Sequence, residues 1–280
     1  MSQRLIIEAG RTERQYWRDL WRYRELFYFL AWRDLLVRYK QTTAGILWSL
    51  IRPVLTMLVL MVVVKLGKLP TGDAPGPLFI FSAMLPWQFF STALSESGNS
   101  LINNANLVSK IYFPRLVVPA STIIVCFVDF LIAAVFMAVL MLYYHFAPKH
   151  HFVPPPQIFL LPLFLLLVFA ASLVVGFWIA ALMVKYRDFR FIVPFVVQFG
   201  LYASPVVLMT AHVPEKWHLR LIYSLNPAVG IIDGFRWCLL GGENVIYWPG
   251  MAVCLVVVGL LLWTGLWYFR KTERVFADII

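Results

Sequence analysis

Long apolar segments alternate with short polar ones along the chain, and this pattern predicts membrane-spanning helices. Six segments are almost wholly apolar: 46–66, 78–98, 116–143, 159–184, 191–210 and 249–269. A helix of about 20 residues, rising 1.5 Å per residue, crosses about 30 Å of hydrocarbon. Helices also satisfy their own backbone hydrogen bonds in lipid. The pattern therefore predicts an all-α polytopic membrane protein with six transmembrane helices.

The distribution of Lys and Arg orients these spans. With the N-terminus inside, 18 of the 24 Lys and Arg residues fall on the inner side and 6 on the outer side. Inner loops are the ones that carry such an excess of positive charge. The chain is thus predicted as a cytoplasmic N-terminus (1–45), a six-span domain (46–269) and a cytoplasmic tail (270–280), with both termini in the cytoplasm.

Residues 13–40 mix bulky apolar side chains with Arg and Asp, so they are not expected to span. Tyr16, Leu20, Tyr23 and Phe27 fall near helical spacing. This pattern predicts an N-terminal amphipathic interface helix, with aromatic side chains in the membrane surface and arginines on lipid phosphates. A soluble helical hairpin packed against a partner is the alternative.

Two polar connections also carry helical patterns. The inner connection 99–115 places apolar residues at helical spacing and stops at Pro114, which predicts a short amphipathic helix on the cytoplasmic side that docks in a partner's groove, or else a plain loop. The outer segment 211–245 is amphipathic and contains Asn226-Pro227, an N-cap followed by proline at the first helical position. It predicts two short re-entrant periplasmic helices, with Asp233 and Arg236 three residues apart as a structural pair.

Composition supports a membrane protein and gives no sign of an enzyme. Hydrophobic residues make up 61% of the 280 residues and charged residues 14%, against about 25% charged in soluble domains. The net charge of +10 reflects the inner-side bias, so no nucleic acid partner is expected. Gly67-Lys68 is followed by Leu69, so it lacks the Ser or Thr of a phosphate-binding loop.

Candidate metal and catalytic residues are sparse. His145, His150 and His151 precede a proline run with no acidic residue nearby, and the three cysteines are far apart, so neither a metal site nor a catalytic site is predicted. Glu96 and Asp129 lie in or near spans, where a carboxylate is costly. Glu96 is near the inner end of its span and can reach water, whereas Asp129 lies deeper and needs a partner or a wet cavity. A structural polar contact and a role in transport both remain open for them.

Two stripes of polar and aromatic side chains follow predicted spans. On the second span they are Gln88, Ser91, Thr92 and Ser95, and on the fifth span they are Phe195, Gln198, Phe199 and Tyr202. Such faces either pack against other helices or line a pathway. Aromatic rings beside hydrogen-bonding groups suit sugars, so the stripes are candidates for a channel lining.

Several motifs resemble those of type-2 ABC exporter permeases. The string from Arg33 to Thr42, with Gly45 to Trp48 and Pro53, resembles the start of their first span. Further similar motifs follow in order: Lys110 to Arg115 with Pro119, Tyr186-Arg187-Asp188, Ser204-Pro205-Val206, Asn226-Pro227 and Glu273 to Ile279. Within that family the sequence is similar to the polysaccharide branch, the O-antigen (Wzm-like) and teichoic acid exporters.

The resemblance implies a transport subunit that is not itself an enzyme. Two copies would form a homodimer and bind a dimer of a separate ABC ATPase subunit, which would hold ATP and Mg, leaving no cofactor on this chain. The cargo would be an undecaprenyl-linked polysaccharide, exported across the bacterial inner membrane through a channel at the homodimer interface. An exporter of small lipids or drugs, and an integral-membrane glycosyltransferase or acyltransferase, are the alternatives.

The resemblance also gives roles to individual residues. The coupling helix would contact the ATPase through Asn106, Leu107, Lys110, Ile111, Tyr112 and Phe113. Arg33, Arg38 and Lys40 of the interface helix would recruit the lipid pyrophosphate, since guanidinium groups bind phosphate oxygens in pairs. Ordinary contact with lipid headgroups is the other reading of these three residues.

Overall fold

The computed structural model describes residues 13–40, 46–68, 74–147, 152–206, 210, 219–242, 246–274 and 276. They form α1 (Glu13–Arg22), α2 (Arg24–Lys40), α3 (Ile46–Leu66), α4 (Gly76–Asn103), α5 (Ala105–Lys110), α6 (Val117–Phe146), a short 3-10 helix (Pro156–Leu160), α7 (Leu161–Lys185), α8 (Phe189–Tyr202), α9 (Leu219–Tyr223), α10 (Pro227–Leu240) and α11 (Trp248–Glu273). The ends of the predicted N-terminal and tail regions (1–12, 277–280), the link 41–45, and His150 and His151 lie outside the described residues.

Five of these helices are long and apolar enough to cross a membrane: Ser49–Leu66, Gly76–Asn103, Val117–Phe146, Pro156–Lys185 and Trp248–Glu273. The prediction of an all-helical, multi-pass membrane protein is therefore confirmed. The predicted span at 191–210 coincides with α8, which is apolar but has only 14 residues. At 1.5 Å per residue it measures about 21 Å, less than the hydrocarbon thickness.

Helix α4 lies at the centre of the bundle. In its most apolar window 78% of the residues are buried, against 22–33% in the other four candidate spans, and it packs on α3, α6, α7 and α10. Three of its buried serines return their hydroxyl hydrogen bonds to the helix itself: Ser82 donates to Phe79 O, Ser91 to Gln88 O and Ser100 to Ser97 O. Part of the polar stripe on this helix is thus satisfied within the helix.

Small residues bring α7 close to α4. A Cβ atom built at Gly176 would lie 2.5 Å from the Ser97 Oγ and 2.9 Å from the Ile123 Cδ1. In lipid, where apolar burial does not drive helix association, such close approach supplies much of the packing attraction. Gly176 therefore fixes the spacing between α4, α6 and α7.

Replacing Gly176 with valine is expected to destabilise the bundle, by about 1–3 kcal/mol for overpacking. Gly259 is the matched control, because it is exposed on α11 and a Cβ there meets no described heavy atom within 4 Å. Gly259→Val is expected to change stability by no more than about 0.5 kcal/mol. Thermal unfolding of the purified chain measures both, and equal melting temperatures for the two variants would contradict the packing assignment.

At the end of the bundle that the sequence predicts as the inner one, the helices share an apolar core, called the inner core below. It joins Leu30 of α2, Val108 of α5 and Phe113 with the ends of the long helices, and its other buried members are Leu101, Leu116, Val117, Val118, Ala120, Phe177, Ala180, Ala181, Val184, Phe269 and Phe276. The segment 104–113, called the coupling region below because the resemblance predicts that it contacts an ATPase, thus rests on the same core as α2 and α11.

Helix α10 begins as its sequence predicts. The Asn226 side chain accepts a hydrogen bond from the Ala228 N–H at 3.1 Å, and Pro227 occupies the first turn. Two short helices, α9 and α10, follow α8, and α10 is largely buried against α4, α7 and α11. Their re-entrant, periplasmic placement stays a prediction.

Candidate functional site

An inner cavity of about 650 Å³ lies between α2, α3, α4 and α6. One part of its wall is charged or polar and the rest is apolar, so the cavity is amphipathic. Its lining consists of Arg38, Tyr39, Ser49, Ile51, Arg52, Pro53, Leu55, Thr56, Leu85, Gln88, Phe89, Thr92, Glu96, Cys126, Asp129, Phe130 and Ala133.

Arg38 of α2 is the centre of the charged wall. Its Nη1 lies 2.5 Å from the Asp129 Oδ2 on α6, and its Nη2 lies 3.4 Å from the Glu96 Oε1 on α4. The Tyr39 hydroxyl also donates to the Asp129 carboxylate. Arg38 and Tyr39 thereby engage Asp129, the carboxylate that the sequence identified as needing a partner or a wet cavity, and Arg38 also reaches Glu96. These contacts tie α2 to the bundle.

The surroundings hold both α2 side chains in their donor states. Burial opposes the charge on the guanidinium, but the carboxylates of Asp129 and Glu96 outweigh it, so the pKa of Arg38 is raised. Burial, together with the hydrogen bond to Asp129, raises the pKa of Tyr39. Both groups therefore present N–H and O–H donors, which are the groups that bind an anion.

A second cavity of about 380 Å³ adjoins the first, and Arg38 and Glu96 line both. Its wall also includes Asn103 and Asn104, at the junction between α4 and α5. The Arg33 Nη2 donates to the Asn104 Oδ1 at 2.8 Å and to the Asp34 Oδ1 at 2.7 Å. Helix α2 thus contacts the start of the coupling region through Arg33 and the inner cavity through Arg38.

The three basic residues predicted for pyrophosphate contact are placed differently. Arg38 lies in the inner cavity and Arg33 in the second cavity beside it, while Lys40 is exposed at the end of α2. Arg52, which the sequence argument did not select, lines the inner cavity as well. The role in phosphate contact stays a prediction.

The six residues predicted to contact an ATPase divide into exposed and buried ones. Asn106, Lys110, Ile111 and Tyr112 are exposed and Leu107 is half-buried, whereas Phe113 is 3% exposed and belongs to the inner core. Helix α5 ends at Lys110, and Ile111 has an extended backbone, so the helix is shorter than predicted. Phe113 therefore anchors this segment in the inner core and is not exposed for contact with an ATPase.

The predicted channel-lining residues fall into two places. Gln88 and Thr92 line the inner cavity, while Ser91 is buried and Ser95 half-buried on α4. The α8 aromatic face, which consists of Phe191, Phe195, Phe199 and Tyr202, is 55–83% exposed on the single chain. Gln198 is also exposed on α8, and the rings of Phe195 and Phe199 lie 4.2 Å apart. The α4 stripe is thus turned partly into the bundle and the inner cavity, whereas the α8 stripe is exposed.

Asp233 and Arg236, predicted as a structural pair, lie at the other end of the bundle. Arg236 is buried, with its guanidinium 4.0 Å from the ring centre of Phe79 and its Nη2 donating to Val206 O at 2.6 Å. Asp233 is close enough to act on the Arg236 charge. Arg236 thereby joins α10 to α4 and to the turn that follows α8.

Sequence reasoning missed two features of this inner end. It treated Glu96 and Asp129 separately from Arg38, and it gave no role to Tyr39, Arg52, Arg115 or the Glu273 side chain. For the contact between Arg38 and Asp129, the available signal was the rule that a carboxylate in a span needs a partner. Nothing in the sequence pairs Arg115 with Glu273, which lie 158 residues apart.

The described helices form a multi-pass membrane bundle with an amphipathic cavity between α2, α3, α4 and α6. The family model described as ABC-2 type transporter matches residues 25–240, and the chain belongs to that family. Its members are transport subunits, which agrees with the absence of a predicted catalytic site.

Three curated relatives extend along nearly the whole chain. It is 29% identical over 266 residues to the O-antigen export system permease protein RfbA of Myxococcus xanthus, covering 94% of this chain and 98% of the relative. Two proteins of the same name from Klebsiella pneumoniae are 26% and 25% identical, each covering 91% of this chain and 95% of its own length.

Proposed function

We propose that this chain is the permease subunit of an ABC transporter that exports a lipid-linked polysaccharide of the O-antigen class across the inner membrane. The observation that carries the proposal is the similarity to three O-antigen export permeases over at least 91% of the chain. Membership of the ABC-2 type transporter family supports transport, and the relatives' names supply the cargo.

The proposed topology has six membrane-crossing segments and both termini in the cytoplasm; the fifth is the apolar segment 191–210, of which α8 alone is too short to cross. The excess of Lys and Arg on one side supports this orientation. Helices α9 and α10 re-enter the outer leaflet in this arrangement, which agrees with the largely apolar composition of α10 and its burial against three long helices.

The proposed channel lies at the interface of a homodimer, where the α8 aromatic faces of two chains line it. Their exposure on the single chain supports this placement, because four large apolar or aromatic side chains in a row need either lipid or a partner. Aromatic faces stack on the C–H surfaces of sugars, so a polymer can slide past them without strong, specific bonds.

The proposed motor is a dimer of a separate ABC ATPase subunit, which binds ATP and Mg. The exposed Asn106, Lys110, Ile111 and Tyr112 form the contact surface offered to it. Closure of the ATPase dimer pushes this segment, and the contacts of α2 with both Asn104 and the bundle carry the displacement to the inner cavity.

The proposed cargo enters with its undecaprenyl pyrophosphate near the inner cavity. Arg38 and Tyr39 supply donors for the phosphate oxygens, and the apolar part of the wall accommodates the first isoprene units. Before the cargo arrives, Arg38 is paired with Asp129 and Glu96. An incoming phosphate therefore replaces these carboxylates as the partner of Arg38.

Complementation tests this proposal. A strain lacking its own O-antigen permease, but retaining its glycan synthesis, is supplied with this chain and the ATPase encoded beside it. We expect O-antigen to return to the cell surface, where immunoblotting and surface labelling detect it. Export of a small amphiphile without surface glycan would favour the lipid or drug exporter, and altered glycan structure without export would favour a membrane transferase.

A further inference from the structure

The Glu273 side chain, at the cytoplasmic end of α11, receives hydrogen bonds from two distant parts of the chain. The backbone N–H of Arg115 donates to its Oε1 at 2.6 Å, and the Tyr16 hydroxyl of α1 donates to its Oε2 at 3.0 Å. The Arg115 guanidinium also donates to the Glu273 carbonyl oxygen. One residue therefore joins α1, α11 and the segment that follows the coupling region.

The surroundings hold this junction rigid. Arg270, one turn before Glu273, places its guanidinium 4.8 Å from the ring centre of Tyr16. Phe276 is fully buried against Phe269, with ring centres 5.4 Å apart, inside the inner core that also holds Phe113. Burial and the neighbouring Glu273 carboxylate raise the pKa of Tyr16, so its hydroxyl stays protonated and remains a donor.

The position of Arg115 links this junction to the coupling region and to α6. It lies two residues after Phe113, the buried end of the segment whose exposed side chains face the cytoplasm, and two residues before α6 begins. A backbone hydrogen bond to Glu273 holds the chain itself at this point, whatever side chain position 115 carries. Displacement of the coupling region is thus passed to α1 and α11 as well as to α6.

We infer that Glu273 is a positioning residue for energy coupling, which makes the coupling region, α1 and the end of α11 move as one body. This inference rests on the proposed function, since it presumes that a motor acts on the coupling region. A carboxylate suits the role because its two oxygens accept from two donors at once, and charge-assisted hydrogen bonds are shorter and stronger than neutral ones.

The test compares four variants of the full complex with its ATPase. Glu273→Ala removes both side-chain bonds, Tyr16→Phe removes only the α1 bond, and Glu273→Gln keeps an oxygen for the Arg115 N–H and an amide facing Tyr16. Glu25→Ala is the matched control, because Glu25 is an exposed carboxylate in the first turn of α2. For each variant we measure assembled complex, ATP hydrolysis and glycan export per complex.

Glu273→Ala is expected to keep assembly and ATP hydrolysis within about two-fold of the parent while export per complex falls about five-fold or more. Tyr16→Phe is expected to be intermediate, and Glu273→Gln and Glu25→Ala to export nearly as the parent does. Unchanged export per complex in Glu273→Ala, with any loss explained by reduced assembly, would reduce Glu273 to a structural residue and overturn the inference.

A distance measurement separates this inference from the proposed function. Spin labels are attached at Ser109→Cys on α5 and Arg18→Cys on α1, both exposed, while Cys126, Cys238 and Cys254 are buried. With a non-hydrolysable ATP analogue, the distance distribution should stay narrow in the Glu273 parent and broaden in Glu273→Ala. Equal distributions would overturn the inference, whereas a parent complex that exports no glycan would overturn only the proposed function.

Discussion

Replacing Arg38 with alanine is expected to lower export about ten-fold or more while the chain still assembles with its ATPase. Two effects combine. The Asp129 and Glu96 carboxylates lose their shared cation in a membrane cavity, which for a partly exposed pair costs about 1–3 kcal/mol. The cavity also loses its principal phosphate donor, where a charge-assisted hydrogen bond contributes about 1.5–3 kcal/mol. Export per assembled complex, measured in inverted vesicles, checks the prediction.

A double variant separates these two effects. The cluster of Arg38, Glu96 and Asp129 has one cation and two anions, and Arg38→Ala/Asp129→Asn restores that net charge of −1. We expect the double variant to recover the stability lost in Arg38→Ala, with export still low. Full recovery of export would mean that Arg38 only holds α2 in place, and unchanged export in the single variant would remove it from the mechanism.

The second large effect is expected at the coupling region. Replacing Ile111 and Tyr112 together with alanine should weaken binding of the ATPase subunit and abolish glycan-stimulated ATP hydrolysis, because these side chains are 54% and 52% exposed and project from the region. Truncating a central aromatic contact in an interface typically costs 2 kcal/mol or more, which is roughly a thirty-fold weaker complex. Titration of the purified ATPase against the chain in nanodiscs measures the loss.

Phe113 provides the matched comparison, since it is next in sequence but buried in the inner core. Phe113→Ala is expected to destabilise the chain by about 3–5 kcal/mol through the cavity it leaves, and so to lower its yield and melting temperature. If Phe113→Ala instead left stability unchanged and selectively weakened ATPase binding, the division into exposed and supporting residues would be wrong.

The long spans could be predicted because a backbone in lipid must satisfy its own hydrogen bonds, which a long apolar helix does. Five of the six apolar segments correspond to helices long enough to cross. The exception, 191–210, shows where hydropathy is insufficient: the apolar run continues past Tyr202, but Ser204-Pro205 follows and the helix ends. Proline lacks the N–H that a helix needs, and the residue before it avoids helical geometry.

The coupling region was shortened for the same reason. Its pattern placed Ile111 and Tyr112 on a helix that stops at Pro114, yet α5 ends at Lys110 and Ile111 is extended. Pro114 has no N–H to donate to the Lys110 carbonyl, and its ring would clash with that carbonyl, so the helix ends at Lys110. The burial of Phe113 follows from contacts with residues of α2 and α11 in the inner core. These contacts are distant in sequence, so the spacing of residues within the segment could not predict it.

The charged cluster could be predicted only in outline. The cost of a carboxylate in a span signalled that Asp129 needed a partner, but Arg38 lies 91 residues away in sequence. Helix periodicity fixes neighbours three or four residues apart, whereas long-range partners follow from the packing of α2 on α6 and from the reach of its arginine side chains to α4. The Glu273 contacts with Tyr16 and Arg115 escaped prediction for the same reason.

The central claim is that a separate ATPase drives a lipid-linked glycan through this chain. The most direct measurement is ATP hydrolysis by the chain co-purified with the ATPase encoded beside it, in lipid, with and without lipid-linked glycan. We predict a stable complex of two permease and two ATPase subunits whose hydrolysis rate responds to the glycan. Failure to bind any ATPase, or a complex that responds to small amphiphiles and not to glycan, would contradict the account.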